Sequence, residues 1–282
     1  MYTLKVKNDK GELLTLSGSP DYNVYRIDGL TPPKATINTT VNTTSDGSKI
    51  NSVRVESRNI VIYTTIEGDA EKNRIKLYRY FPPKKTVSIY FENGARNVYI
   101  EGVVELIECD LFAQKQVAQI SIVCGQPYFK AVNKLVESFG DVQALFQFPF
   151  SIPAVGMEFS TLSPNIRRSI INTGDVDTGL IIELYAVGTV KNPILYNVLT
   201  GDHMSFAFTM LPADKIVINT NVGEKAIHLI RDGVTSNAIG YMSPDSCWFT
   251  LTNGDNVFTY DADSGTSNLQ LRFSTNLLYG GV

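Results

Sequence analysis

The chain has 282 residues, of which 43% are hydrophobic and 19% are charged, and its formal net charge is −3. The 14 phenylalanines and 14 tyrosines can offset the entropy lost when the chain is ordered, so the composition excludes a disordered protein. Because the balance is weakly acidic, no global basic field is present to hold nucleic acid. The sequence therefore predicts a folded protein without specific nucleic-acid binding.

The charge is divided unevenly along the chain. Residues 1–133 contain 17 Lys and Arg against 14 Asp and Glu, a balance of +3, whereas residues 134–282 contain 8 against 14, a balance of −6. At about 150 residues per domain, the length accommodates two domains. The change in composition near the middle predicts an N-terminal domain over residues 1–133 and a C-terminal domain over residues 134–282.

The cysteines and the apolar runs restrict the protein class further. Cys109, Cys124 and Cys247 form no CxxC pair, which excludes a disulfide framework and a cysteine-rich zinc site and suits reduced thiols inside a cell. The first ten residues lack the apolar region of a signal peptide. The longest apolar run, residues 144–150, is broken by a glutamine and a proline, so we expect no membrane insertion.

Residues 69–81 have the pattern of a helix. Asp69 can cap the free N–H groups of the first turn, Glu71 suits the positive end of the helix dipole, and Pro82 ends the helix. The predicted apolar stripe of this helix consists of Ile75, Leu77, Tyr78 and Phe81.

Asn93–Gly94 predicts a tight β-hairpin, because Asn-Gly supplies the positive φ angles of such a turn. Asp232–Gly233 and Asn253–Gly254 repeat this turn chemistry in the second half. The alternating apolar residues around the first turn are Val87, Ile89, Phe91, Val98 and Ile100.

Period-2 alternation continues in the second half and is typical of half-buried antiparallel strands. Together with the frequent turn signals, it predicts a mainly β protein with sandwich or barrel-like domains and one helix. The residues predicted to face inward are Met204, Phe206, Phe208 and Met210 in one run, and Leu269, Leu271 and Phe273 in another.

Several residue combinations could carry chemistry, but no motif supports them. His203 could belong to a Ser-His-Asp triad, and Glu158 with Glu183 could be a hydrolytic carboxylate pair, yet no G-x-S-x-G elbow or phosphate-binding loop occurs. Residues 261–265 begin like a calcium loop, but Leu271 stands where its glutamate is required. The sequence therefore predicts no enzyme, no cofactor and no metal site.

Two further features have more than one interpretation. Trp248 is the only tryptophan and could either stack on a sugar or anchor the core. The basic residues around the helix could contact phosphates, although interleaved carboxylates favour a subunit interface or a solvated face.

Read in order, segments of the whole chain form a familiar pattern. In the first half, it comprises YRIDGLTPPKA from Tyr25, RNIVI from Arg58, IEGD from Ile66, LYRYF from Leu77, VYIEG from Val98, QISIVC from Gln119 and QPYFK from Gln126. In the second half, it comprises NTGDVDTG from Asn172, IVINT from Ile216, SCWF from Ser246, LTNGDN from Leu251 and YGGV from Tyr279. This order resembles the distal tail proteins of siphophages that infect Gram-positive bacteria.

The resemblance implies a structural protein of the phage tail tip. It implies a hexameric ring, built from N-terminal β domains with a belt-like hairpin, that joins the major tail-tube protein to the tail-associated lysin or fibre and lets DNA pass. By position, the hairpin of Phe91, Glu92, Asn93, Gly94 and Arg96 is a candidate for this belt.

The resemblance also implies a galectin-like β-sandwich as the C-terminal domain, where some phages dock receptor-binding proteins. The expected location is the virion tail tip, after synthesis in the host cytoplasm. The sugar-contact residues of galectins are missing around His203 and Trp248. The alternative is a C-terminal module that binds host cell-wall carbohydrate, and a wall-degrading enzyme is a further rival.

Overall fold

The structure is a computed structural model that describes residues 2–41, 46–139, 142–144, 160–162 and 167–282. It is mainly β, as predicted. The chain divides into two compact units: unit 1 comprises Met1–Asn133 and Leu278–Val282, and unit 2 comprises Lys134–Leu277.

Unit 1 combines antiparallel strands with the helix α1 (Ala70–Tyr80). Its strands are β1 (Tyr2–Lys7), β2 (Leu13–Thr15), β3 (Tyr22–Asp28), β4 (Ala35–Val41), β5 (Ser48–Val55), β6 (Arg58–Ile66), β7 (Thr86–Asn93), β8 (Arg96–Cys109), β9 (Val117–Cys124), β10 (Phe129–Ala131) and, from the end of the chain, β24 (Leu278–Tyr279).

One large sheet forms most of unit 1, in the strand order β2-β1-β7-β8-β9-β6-β3. Its apolar side chains alternate with polar ones, and the inward set, such as Ile60, Ile100 and Ile120, is almost fully buried. The Tyr2 hydroxyl on β1 donates a hydrogen bond to the Val24 carbonyl of β3, 3.1 Å away. These two strands lie far apart in the sheet order, so the contact indicates that the sheet is curled.

The helix begins and ends where the sequence predicts. The Asp69 carboxylate accepts a hydrogen bond from the Lys72 amide at 3.2 Å, and Phe81 lies at the C-cap. The predicted apolar stripe is wrong in two positions, since Ile75 and Tyr78 are exposed while Leu77 and Phe81 are buried. Tyr80 lies on the packed face instead, because it is three residues after Leu77 and shares its side of the helix.

The predicted hairpin at Asn93–Gly94 is confirmed, but its turn differs from the expected one. Strand β7 ends at Asn93 and β8 begins at Arg96, so Gly94 and Ala95 form the turn. The Asn93 side chain accepts hydrogen bonds from the amides of Ala95 and Arg96, at 3.1 and 2.9 Å. This side-chain turn replaces the positive φ angles expected of Asn-Gly.

The last five residues belong to unit 1 rather than to the C-terminal domain predicted over residues 134–282. Strand β24 pairs with β10, placing Tyr279 opposite Phe129. The Val282 amide then donates to the Leu30 carbonyl at 3.1 Å. Unit 2 is consequently joined to unit 1 at both ends, through neighbouring strands of one sheet.

Unit 2 is built from antiparallel strands throughout its described residues. They are β11 (Leu135–Phe139), β12 (Val142–Ala144), β13 (Ser160–Leu162), β14 (Arg167–Asn172), β15 (Ile181–Ala186), β16 (Val190–Asn197), β17 (His203–Ser205), β18 (Thr209–Met210), β19 (Lys215–Asn219), β20 (Ala226–Arg231), β21 (Val234–Asn237), β22 (Gly254–Ser264) and β23 (Leu269–Thr275).

Two sheets of unit 2 enclose one core. The first has the order β11-β23-β15-β19-β20-β21, and the second has the order β14-β22-β16-β17 with β18 beside β16. The Phe258 ring from the second sheet stacks on Phe273 from the first, with centroids 5.0 Å apart. Because apolar faces of both sheets meet in this way, unit 2 is a β-sandwich.

The inward-facing residues predicted in the second half are largely confirmed. Met204, Phe206, Met210 and the three residues of β23 are buried, and Phe208 is partly buried. At the turns, Asp232–Gly233 joins β20 to β21 with positive φ at both residues. Asn253–Gly254 forms no hairpin, because β22 pairs with β14 and β16 instead.

Candidate assembly surface

A separate hairpin of unit 1, formed by β4 and β5, has its strands paired with each other and not with the main sheet. Ile37 lies directly opposite Val53, and Ala35 lies opposite Val55. An irregularity after Asn38 shifts the register by one residue. We call the two paired strands, Ala35–Val41 and Ser48–Val55, the exposed hairpin.

The exposed hairpin has two chemically different faces, because successive strand residues point to opposite sides. The side chain of Asn38 donates to Ser52 at 2.9 Å, and Asn51 donates to Thr40 at 2.5 Å, so these polar residues share one face. Lys49 and Arg54 lie in register with this polar face. The opposite, apolar face consists of Ala35, Ile37, Val41, Ile50, Val53 and Val55.

The apolar face is open to solvent. The exposed fractions are 55% for Ile37, 73% for Val41, 60% for Ile50 and 60% for Val53. An isolated two-stranded hairpin is marginally stable in water, and contiguous exposed apolar residues mark interaction surfaces. The exposed hairpin therefore has the geometry and chemistry of an element that is completed by a binding partner.

The hairpin that the sequence reasoning favoured lies within the main sheet. Phe91 is buried, and its ring stacks on Tyr2 with centroids 5.7 Å apart. The guanidinium of Arg96 lies 4.5 Å from the Tyr279 ring centroid and donates to the Gly281 carbonyl. Glu92 is exposed. An intersubunit role for this hairpin stays a prediction, with most of its side chains already engaged in unit 1.

The sequence of the exposed hairpin contains a strand-like alternation that the sequence analysis did not identify. Ile37 and Val41 alternate with polar residues, as do Val53 and Val55, and Asp46–Gly47 stands between the two runs. The segment is rich in threonine and asparagine, a composition that is typical of polar loops, and the alternation was therefore overlooked.

In unit 2, Trp248 is half-buried and packs against the core. Lys225 Nζ lies 5.4 Å from the centroid of the indole ring. Both contacts occupy surface that stacking on a sugar would require. This packing fits the core interpretation of Trp248, and sugar stacking by Trp248 stays a prediction.

The residues considered for catalysis do not form a site in the described part of the chain. His203 Nε2 lies 3.2 Å from the exposed Asp245 carboxylate. The partly buried hydroxyls of Ser205 and Ser246 lie 3.5 Å from each other and do not take part in this contact. Glu183 pairs with Lys215 at 2.6 Å. Glu158 lies outside the described residues.

The calcium-like segment 261–265 makes internal contacts. Asp261 accepts hydrogen bonds from the Ala262 amide and the Thr266 hydroxyl, and Asp263 accepts one from Asn192. Among the described residues, no group of three or more His, Cys, Asp or Glu side chains is placed to hold a metal ion.

Within the same ranges, no helix is long and apolar enough to cross a membrane.

The motif segments of unit 2 interlock with one another. Buried Asn172 donates to the Leu251 carbonyl at 3.1 Å, and the Thr178 amide donates to the same carbonyl at the same distance. The Asn253 amide donates to the Asp177 carboxylate at 3.0 Å. The segments from Asn172 and from Leu251 therefore hold each other by hydrogen bonds, of which the one from Asn172 is buried, and this gives these motifs a structural role.

The motif segments of unit 1 converge on Arg58. Its guanidinium, buried in the unit, donates to the carbonyls of Pro127, Gly29, Thr31 and Gly280, at distances of 2.5–3.0 Å. Burial lowers the pKa of this guanidinium. The site holds four chain segments together through hydrogen bonds from one guanidinium to backbone carbonyls.

The thiol of Cys124 lies in the same buried region as Arg58. Burial raises the pKa of the thiol to about 11. A thiol that stays protonated at neutral pH is a poor nucleophile and a poor metal ligand. Cys124 is therefore a packing residue.

Comparisons with known proteins locate this fold among phage tail proteins. Residues 173–276 match the family described as the C-terminal domain of the siphovirus-type tail component. No curated protein matches the sequence. The solved structure of SPP1 Dit, described as a paradigm of the hub adsorption apparatus in phages that infect Gram-positive bacteria, has a TM-score of 0.69 and 10% identity, covering 97% of this chain and 98% of that chain.

Two structures of the phage P2 baseplate in its activated conformation are also similar. With Ca, the TM-score is 0.52 at 11% identity, covering 97% of this chain and 98% of that chain. With Sr, the TM-score is again 0.52 at 11% identity, covering 98% of both chains. At such low identity, these likenesses show the fold.

A mainly β chain whose second unit matches this family is a structural component of a siphovirus-type phage tail. The resemblance to siphophage distal tail proteins is confirmed by the family match of residues 173–276 together with the fold of the whole chain.

Proposed function

We propose that the chain is a non-enzymatic hub of the tail tip, made in the host cytoplasm and incorporated into the virion. Six copies form a ring through unit 1, and the ring joins the tail-tube protein to the tail-associated lysin or fibre. The genome passes through the bore. Unit 2, a galectin-like sandwich in this proposal, faces outward and offers a docking surface for a receptor-binding protein.

The exposed hairpin is the observation that carries the proposal. Burying one Ile or Val side chain completely stabilises an assembly by about 1.5–3 kcal/mol. Ile37, Val41, Ile50 and Val53 each leave more than half of the side chain exposed in the single chain. Contact with a neighbouring copy would recover several kcal/mol per interface. We therefore assign the belt-like, intersubunit role to this hairpin.

A closed ring requires two different surfaces on each copy. In such a head-to-tail assembly, every chain grips one neighbour and is gripped by the other. A projecting hairpin supplies the gripping surface without disturbing the main sheet. The charge of residues 1–133, +3 with both signs interspersed, is compatible with a bore through which DNA slides, because strong phosphate contacts would hold the duplex.

The proposal is tested by replacing Ile37 and Val53 with threonine in the full chain. The mass of the assembly is measured by sedimentation over a wide concentration range and in the presence of the tail-tube protein. Loss of a six-copy species in the variant is the expected result. The matched control is Asn38→Thr with Ser52→Thr, which changes the opposite face of the same hairpin.

Two outcomes would overturn the proposal. A wild-type chain that stays monomeric at every concentration and with its tail partner contradicts the ring. A ring that forms equally well without the apolar residues contradicts the role given to the exposed hairpin.

A further inference from the structure

A cleft of about 310 Å³ crosses the outward face of the main sheet in unit 1. Lys5 on β1 lies opposite Tyr90 on β7, and Glu92 on β7 lies opposite Asn97 on β8, so the cleft crosses three adjacent strands. Its volume is in the range of ligand-binding clefts. We call it the sheet cleft, and its floor is formed by Thr3, Lys5, Lys7, Tyr90, Glu92 and Asn97.

The core of unit 1 fixes which side chains enter the sheet cleft. Leu4 and Val6 are fully buried on the inner side of β1, and successive residues of a strand point to opposite faces. Thr3, Lys5 and Lys7 therefore share the outward face. A slip of β1 by one residue would expose Leu4 and Val6, so the lysines are held in the cleft by the packing beneath them.

Lys5 and Lys7 are the cationic groups of the sheet cleft. In the part of the chain that the structure describes, neither of them makes an ion pair. By contrast, Lys130, which lies opposite Tyr99 on the same sheet, is paired with Glu101 at 3.1 Å. Since Lys5 and Lys7 are two residues apart on one strand, their Cα atoms are separated by roughly 7 Å. Two anionic groups with the same spacing would match them.

Aromatic and apolar side chains complete the sheet cleft. The Tyr90 ring stacks on Tyr99, with centroids 5.6 Å apart, which fixes the position of the ring. Leu13 on β2 is 56% exposed and lines one end of the cleft. Val132 lines the other end, where its amide donates to the Asn97 carbonyl at 3.1 Å. A complementary ligand therefore combines anionic groups with an apolar side chain.

Glu92 favours a peptide over a nucleic acid as this ligand. A nucleic-acid backbone carries a negative charge at every phosphate, and the Glu92 carboxylate on the floor of the cleft would repel it. An extended peptide places carboxylates at alternate positions about 7 Å apart, and it can present a backbone N–H to Glu92. Its apolar residues can also contact Leu13 and Val132.

We propose that the sheet cleft binds an extended acidic peptide segment of a partner protein. Two carboxylates at alternate positions of this segment pair with Lys5 and Lys7, and an apolar side chain packs against Tyr90. The distance across β2, β1, β7 and β8 is roughly 15 Å, which an extended segment of five residues covers. The site is separate from the exposed hairpin, and the proposal does not depend on the ring.

Fluorescence anisotropy of a labelled peptide added to the full chain at low ionic strength tests the proposal. The probe is the capped peptide Glu-Leu-Glu-Thr-Gly, and the matched probe has glutamine in place of both glutamates. The expected result is saturable binding of the acidic probe below about 1 mM, with binding of the glutamine probe weaker by about tenfold.

Substitutions in the sheet cleft locate the binding. Lys5→Gln with Lys7→Gln should weaken binding of the acidic probe about tenfold, because both charge-assisted contacts are lost. Lys34→Gln with Lys72→Gln removes two exposed lysines elsewhere in unit 1 and should leave the binding unchanged. Lys5→Glu with Lys7→Glu should reverse the preference and bind a probe with lysine at both glutamate positions, which shows that this variant is folded.

Four results would overturn the proposal. The first three are no saturable binding of the acidic probe, equal binding of the glutamine probe, and equal binding by the chain with Lys5→Gln and Lys7→Gln. The fourth is tighter binding of a labelled ten-nucleotide oligothymidylate than of the acidic probe, which would make the cleft a nucleic-acid site. All of these measurements are independent of whether the chain forms a ring, so they leave the proposed function to its own test.

Discussion

The Arg58 guanidinium donates a hydrogen bond to the Gly280 carbonyl, 2.5 Å away and 222 residues along the chain. This contact anchors the returning end of the chain in unit 1, beside three other carbonyls that the same side chain satisfies. Phe129 supports the arrangement, because its ring centroid lies 4.6 Å from the guanidinium carbon.

Arg58→Met should destabilise unit 1 by at least about 3 kcal/mol, because four carbonyls lose their donor while the apolar volume is kept. Urea unfolding measures this change, and amide hydrogen exchange at Leu278–Val282 should accelerate. Arg54→Met, on the exposed hairpin, is the matched control and should leave both measurements unchanged. Unaltered exchange in Arg58→Met would contradict the anchoring role.

In unit 2, Asp214→Asn should lower the free energy of unfolding by about 1.5–3 kcal/mol at neutral pH. The buried Asp214 carboxylate accepts two hydrogen bonds from Arg231, at 2.8 and 2.5 Å, and one from the Leu211 amide at 2.7 Å. Asparagine keeps the shape but removes the charge and one acceptor. Urea unfolding of the two proteins provides the comparison, with exposed Asp255→Asn as the control.

The effect of Asp214 should also depend on pH in a defined direction. Arg231 holds the pKa of the Asp214 carboxyl below its usual value of 3.8. Stability contributed by a lowered carboxyl pKa is present above the unfolded value and is lost as the pH falls through the folded value. The difference between wild type and Asp214→Asn should therefore shrink below pH 3.8. A difference that stays constant in acid would refute the charge-based explanation.

Trp248→Ala should lower the free energy of unfolding of unit 2 by about 1–3 kcal/mol, because the indole ring packs against the core and lies beside the Lys225 ammonium group. Binding to host cell walls, where it occurs, should be the same for folded variant and wild type. The exposed neighbour change Thr250→Ala is the control for both measurements. A stable variant that selectively loses wall binding would favour the carbohydrate-binding alternative.

Threonine at positions 37 and 53 should leave the free energy of unfolding of the single chain within about 0.5 kcal/mol of wild type, because both side chains are largely exposed. The same variant is expected to lose assembly. Unfolding followed by fluorescence in dilute solution separates the two effects. A large loss of monomer stability would show that these residues serve the fold instead.

The sequence predicted local structure well wherever one chemical signal dominated. Asp69 and the prolines define the ends of α1, and alternation in β23 identifies its buried residues. Long-range relations could not be predicted in this way. Nothing near Gly280 in the sequence indicates Arg58, and the exposed hairpin lacks a buried face, so its alternation resembled a polar loop.

The candidate site illustrates the same limit. The resemblance implies an intersubunit hairpin, and Asn93–Gly94 is the strongest turn signal in the first half of the sequence. The structure places this turn within the main sheet, where the neighbouring Phe91 is buried. An element that binds a partner leaves its apolar residues exposed in the single chain, and only the fold distinguishes exposed Ile37 from buried Phe91.

Electron microscopy of the purified full chain, alone and with its tail-tube protein, tests the central claim most directly. We expect a ring of six copies in which the exposed hairpin of each copy contacts the next. Particles that remain single chains under all these conditions, together with tail tips that contain no ring of this protein, would contradict it.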